Sequence, residues 1–228
     1  MNTKAKIIVA LDVDSSQEAE KLLSALEGAP VLCKVGLQLY TREGVSLVKK
    51  LKERGLGVFL DLKLHDIPNT VRHAVMAIRD LGVDMATVHA SGGPEMLKAA
   101  QDGAGSDLLL LAVTVLTSSN EETLRATGVT RDVASQVLGL AGITADAGIG
   151  GVVASPLEIT AIRKQYSDRL KIVTPGVRPT WADANDQKRI MTPGEAVKAG
   201  ADWLVIGRPI SAASDPRAAL QKILDEIS

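Results

Sequence analysis

The densest chemistry in the chain is one ten-residue run, Asp61-Leu62-Lys63-Leu64-His65-Asp66-Ile67-Pro68-Asn69-Thr70, with carboxylates at Asp61 and Asp66 flanking the ammonium of Lys63. In a strand, residues two apart share a face, so Asp61 and Lys63 are expected to line one hollow, about 7 Å apart along the strand, with Leu60 and Leu62 turned away. Asp66 falls beyond the strand, in a loop, and Pro68 suits the first turn of a following helix. Lys34, at the end of an earlier apolar run, offers a second ammonium beside Asp61. Such an array of Lys34, Asp61, Lys63 and Asp66 would hold its charges by mutual pairing. Burying unpaired charge is expensive, so a hollow that collects these groups is one whose chemistry uses them. The plain alternative is an ion-pair network that only stabilises the fold, and buried networks are weak devices for stability.

Eight short β-branched or apolar runs must position these groups: Ile7 to Leu11, Val31 to Val35, Val58 to Leu62, Met85 to Val88, Leu108 to Val115, Gly151 to Ala154, Ile172 to Thr174 and Trp203 to Ile206. Stretches of helical length lie between and after them, at Gln17 to Leu26, Val45 to Arg54, Thr70 to Leu81, Pro94 to Gln101, Asp132 to Ala145, Pro156 to Tyr166, Pro193 to Lys198 and Pro216 to Ile227. Strands alternating with crossover helices indicate a parallel sheet. Eight such units in 228 residues favour a single α/β domain over residues 1–228, a closed (β/α)8 TIM barrel, with an open doubly wound sheet as the structural alternative.

Polar residues stand at or just after the C-terminal end of nearly every run: Asp12, Lys34, Asp61 with Lys63, His89, Thr117, Ser155, Pro175-Gly176 and Gly207-Arg208. In a barrel these positions form one ring at the face that carries active sites. Strand ends are also polar merely because loops are wet. Pro175-Gly176-Val177-Arg178-Pro179 after strand seven and Gly207-Arg208-Pro209 after strand eight suit a phosphate, since glycine lets backbone N–H groups approach and arginine supplies a planar fork. The loop from Pro175 to Thr192, about 18 residues, is long enough to be a lid carrying Arg178 and Gln187, or simply a solvated surface loop. His65 and His89 read as isolated packing residues, without metal-ligand spacing. Cys33, the one cysteine, reads as a small core residue.

Composition narrows the function classes. A net charge of -1 without a basic cluster, and only five aromatic residues (two Trp, two Tyr, one Phe), argue against nucleic-acid binding. The longest apolar stretch, Leu108 to Leu116, is far shorter than a membrane span, and the apolar run Ile7 to Leu11 is too short for a signal-peptide core, so no membrane association and a cytoplasmic location are expected.

With Lys34, the Asp61 to Thr70 run and both late loops in place, the chain resembles the orotidine 5'-monophosphate decarboxylase family, in its bacterial form, over essentially its whole length. The resemblance implies a carboxy-lyase of de novo pyrimidine nucleotide (UMP) biosynthesis, needing neither metal nor organic cofactor. It implies Lys63 as proton donor to C6 of the pyrimidine, Asp61 against the substrate carboxylate, and Lys34 and Asp12 on the ribose hydroxyls. Thr117 would contact the pyrimidine ring, and Pro175, Arg178, Gln187, Gly207 and Arg208 would line or grip the phosphate end. Asp66 and Thr70 would reach into the partner's site of a homodimer. A magnesium enzyme resembling 3-keto-L-gulonate 6-phosphate decarboxylase shares the Asp-x-Lys-x-x-Asp pattern, but its counterpart of Lys34 is acidic, and an ammonium there would repel a divalent cation. A non-catalytic barrel that binds a phosphorylated ligand is the remaining alternative.

Overall fold

The structure, a computed structural model, describes residues 6–182 and 191–228. Eight parallel strands close on themselves in sequence order, which excludes the open doubly wound sheet. They are β1 (Ile7–Ala10), β2 (Val31–Gly36), β3 (Gly57–Leu64), β4 (Met85–His89), β5 (Leu109–Val113), β6 (Gly151–Val153), β7 (Lys171–Thr174) and β8 (Trp203–Ile206). Helices α1 (Ser16–Ala25), α2 (Leu37–Glu53), α3 (Pro68–Asp80) and α4 (Gly93–Ala104) follow the first four strands. Two helices, α5 (Glu121–Ala126) and α6 (Val133–Asp146), follow β5, and α7 (Ile159–Tyr166) and α8 (Pro193–Ala199) follow β6 and β7. After β8 come α9 (Arg208–Ser211) and α10 (Pro216–Glu226).

The period of two along each strand divides the apolar residues into two cores. Ile8, Ala10, Leu32, Phe59, Met85, Leu111, Val173 and Val205 point inward and fill the barrel. Their neighbours Ile7, Val9, Cys33, Val35, Val58, Leu60, Ala86 and Val88 point outward and join the helices in a larger core. The filled interior is a plug rather than a pore, so only the residues above Phe59 and its layer are open to a ligand.

The N-terminal ends of β4 and β8 share one fastening. Asp84 accepts hydrogen bonds from Val58 N (2.8 Å) and Lys52 Nζ (2.8 Å), tying β3 and α2 to the start of β4. Asp202 likewise accepts from Ile172 N (2.8 Å) and from Arg163, tying β7 and α7 to the start of β8. These carboxylates secure the end of the barrel opposite the cleft, where residues serve stability.

Three boundaries differ from the sequence reading. Helix α2 starts at Leu37, directly after β2, and Gly44, at φ 63°, breaks it where the regular pattern from Val45 begins. Helix α5 has six residues, too few to show a period, and is set by Asn120, whose side chain accepts from Thr123 N. Strand β5 stops at Val113, leaving Val115 to Thr117 as a loop over the cleft.

Candidate active site

A cleft of about 560 Å³ opens at the C-terminal end of the barrel, over Phe59 and Val205. Its walls include Asp12, Lys34, Asp61, Lys63, Thr117, Pro175, Gly176, Arg178, Gly207 and Arg208. Residues from six different strand ends and loops thus converge on one space, although 196 positions separate the first from the last.

One side of the cleft is a chain of alternating charge. Lys34 Nζ donates to Asp12 Oδ1 at 3.0 Å and lies 3.8 Å from Asp61 Oδ2. Lys63 Nζ donates to Asp61 Oδ1 at 2.9 Å. The side chains of Lys34 and Asp61 are only 10% and 13% exposed, so solvent screens this part of the chain weakly. Opposite signs at each step offset the cost of desolvation. Gly36 leaves room for the array, since a Cβ there would lie 3.0 Å from Lys34 Nζ.

Regular alternation does not continue across Lys63. This residue has φ 54°, and the register between β3 and β4 passes from Leu60↔Ala86 to Leu64↔Val88, so Asp61, Leu62 and Lys63 face Thr87 alone. A β-bulge of this kind bends the strand and re-aims side chains. The two charged groups form a direct pair, as the expected array of mutually paired charges requires. Left-handed backbone at a residue with a Cβ costs about 1–2 kcal/mol. Strain of this kind is a mark of functional sites.

The opposite side suits an anion. Gly176, at φ 78°, makes the turn after β7 that a residue with a Cβ would strain. The Arg178 side chain is buried, with one nitrogen donating to Val177 O at 2.9 Å while Nε has no hydrogen-bond partner among the described residues. Burial, and then the like charge of Arg208, hold the Arg178 guanidinium below the usual arginine range. An anion between the two arginines would satisfy the buried donor and relieve their repulsion.

Asp66 and Thr70 are exposed and do not line this cleft, so within the chain the fourth member of the charge array is Asp12 rather than Asp66. Asp66 Oδ1 instead accepts from Ile67 N at 2.6 Å, just before Pro68 opens α3. Gln187 lies outside the described residues. His65 and His89 are not isolated: their rings lie 5.7 Å apart, joining the loop after β3 to the end of β4. Burial, followed by the charges of His65 and Lys63, lowers the His89 pKa. Ser155 is buried and accepts from Leu157 N, outside the cleft. Burial pushes the Cys33 thiol up to about 12, which keeps it an inert core group. Among the described residues, no group of three or more His, Cys, Asp and Glu is arranged to hold a metal ion.

Two neighbours of the array escaped the sequence reading. Gln38, at the start of α2, lines the cleft and donates to Asp14 Oδ1 at 2.8 Å. Thr87 is fully buried beneath Asp61 and Lys63. The one signal that could have marked Thr87 was a hydroxyl at an inward position of β4, two residues after Met85.

The chain is similar to known proteins along nearly its whole length. The family model described as orotidine 5'-phosphate decarboxylase / HUMPS family matches residues 5–223. An orotidine 5'-phosphate decarboxylase of Syntrophotalea carbinolica is 50% identical over 236 residues, covering 100% of this chain and 97% of the relative. One of Moorella thermoacetica is also 50% identical, with 100% of this chain and 94% of the relative covered. The crystal structure of orotidine 5'-phosphate decarboxylase from Lactobacillus acidophilus superposes with a TM-score of 0.88 at 40% identity, covering 99% of this chain and 100% of that one.

Proposed function

The chain belongs to the orotidine 5'-phosphate decarboxylase / HUMPS family, and on that premise we propose that it converts orotidine 5'-monophosphate to uridine 5'-monophosphate and CO2 in pyrimidine biosynthesis. The observation that carries this reading is the pairing of Lys63 with Asp61 at 2.9 Å in a cleft whose other side holds Arg178 and Arg208. The substrate has a carboxylate and a phosphate at opposite ends, and the cleft offers a reactive wall and an anion grip to match.

In the reaction the bond from C6 to the carboxylate breaks, its electron pair stays on C6, and CO2 leaves. Lys63 Nζ then gives its proton to C6 and regains one from water, so one substrate and one proton become one product and one CO2. No adjacent carbonyl accepts the electron pair, so its stabilisation is electrostatic. The Lys63 ammonium attracts C6 more strongly as charge develops, while repulsion between Asp61 and the substrate carboxylate fades as neutral CO2 forms. Both changes favour the transition state over bound substrate.

Lys34 and Asp12, joined at 3.0 Å, bind the ribose hydroxyls, the ammonium as donor and the carboxylate as acceptor. Thr117 meets the pyrimidine ring, and Arg178, Arg208, Gln187, Gly207 and Pro175 surround the phosphate. Asp66 and Thr70 complete the site of a second subunit, and their exposure away from their own cleft supports this homodimer arrangement. The whole chain acts as one barrel domain in the cytoplasm, and no helix among the described residues is long and apolar enough to cross a membrane.

The mechanism uses no metal or organic cofactor. Lys34 disfavours the magnesium-dependent alternative, because its ammonium stands beside both Asp12 and Asp61, the carboxylates a cation would need. Loss of ultraviolet absorbance on incubation with orotidine 5'-monophosphate, unchanged by a chelator, is the expected result. Absence of turnover would leave a phosphate-ligand binder, and loss of activity with the chelator would favour the magnesium enzyme.

A further inference from the structure

Where β3 bulges, the backbone ladder to β4 is interrupted, and one side chain takes its place. The Thr87 hydroxyl accepts from Lys63 N at 2.9 Å and donates to Asp61 Oδ1 at 3.0 Å. The direction of both bonds follows from the donors: an amide N–H can only donate, so the hydroxyl proton is left for the carboxylate. One buried group therefore holds the backbone of the residue at φ 54° and also orients its carboxylate partner. Asp61 Oδ1 thereby receives Thr87 from below and the Lys63 ammonium from the cleft, while Oδ2 faces Lys34.

We propose that Thr87 is a positioning residue for the Asp61–Lys63 pair, setting where the ammonium stands relative to the reacting carbon without touching the substrate. It is fully buried and lies outside the cleft lining, so it acts only through the two residues it bonds. Threonine suits the task because its branched Cβ restricts χ1 in a strand and aims the hydroxyl along one direction. The catalytic consequence rests on the decarboxylase reading above; the geometric role does not.

The test compares Thr87→Val, which keeps the shape and removes the hydroxyl, with Thr87→Ser, which keeps the hydroxyl. Steady-state turnover of orotidine 5'-monophosphate is measured alongside hydrogen exchange of the Lys63 amide in 15N-labelled protein. For Thr87→Val, kcat should fall about ten- to a hundred-fold, as for a lost hydrogen bond to a charged group, while KM changes less than about threefold. Exchange of the Lys63 amide should accelerate at least about tenfold, and Thr87→Ser should restore both properties to within about threefold of wild type. The proposal is overturned if Thr87→Val keeps kcat within about twofold, if Lys63 exchange is unaltered, or if Thr87→Ser loses about tenfold or more. Should the valine variant not fold, the serine criteria decide. An inactive wild type would sink the decarboxylase reading and leave amide exchange to judge Thr87, whereas an active wild type with an unaffected valine variant sinks the role of Thr87 alone.

Discussion

Replacing Lys63 with alanine separates what this residue does for the reaction from what it does for the fold. The paired array of Asp12, Lys34, Asp61 and Lys63 is neutral, and the substitution leaves it with one net negative charge. Asp61 would keep Thr87 at 3.0 Å and Lys34 at 3.8 Å, so its carboxylate is not stranded. Losing one hydrogen bond to a charged, partly exposed partner costs about 1–3 kcal/mol, and the left-handed backbone strain remains because alanine also has a Cβ. For a chain of this size that lowers the melting midpoint by about 2–12 °C. Turnover should suffer far more. General acid catalysis contributes about 10²–10⁴ and fixed electrostatic stabilisation about 10²–10³, together about 10⁴–10⁷. Arg178 and Arg208 are untouched, so affinity for uridine 5'-monophosphate should stay within about tenfold of wild type. The assay combines loss of substrate absorbance, calorimetric titration with the product, and thermal unfolding. A variant that keeps its fold and turns over within about tenfold of wild type would refute the role of Lys63.

Arg208→Ala removes one of the two arginines that line the proposed phosphate side among the described residues, and KM should rise by about tenfold or more with a smaller change in kcat; an unchanged KM contradicts the anion grip. Light scattering should give a mass near twice 24.0 kDa, and a particle of 24.0 kDa at working concentration would contradict a site completed by Asp66 and Thr70 of a second copy. Because the folded-state pKa of His89 is lowered, mainly by burial, the unfolded chain binds more protons below about pH 6.5. Stability should therefore be full above that pH and decline as the pH falls toward the lowered folded value. In melts at successive pH values from neutral down to mildly acidic, His89→Asn should flatten this decline; an equal slope in both proteins would remove His89 as its cause.

Much of the barrel was legible in the chain because its signals are local. Inward and outward residues alternate along Ile7–Ala10 and Val31–Gly36, and glycines end helices before the next strand, as at Gly55, Gly82 and Gly200. The acid-base-acid run around Lys63 and the late arginine loops were equally visible, since their residue types and spacing announce chemistry. Helix α5 and the first turns of α2 were not, because six residues carry no period and the non-helical backbone at Gly44 leaves a regular pattern only from Val45 onward.

The amino-acid order by itself determined which residues could carry charge into the barrel mouth, because a period of two assigns each side chain to a face before any packing occurs. Only the closed tertiary structure decided which of those charges meet. Asp12 and Lys34 are 22 residues apart and become hydrogen-bonded because β1 and β2 pair in a particular register. The bulge at Lys63 and the hydroxyl of Thr87 depend on a shift between β3 and β4, and His65 meets His89 across the same seam. A register is a relation between two strands, so no local pattern in either one contains it.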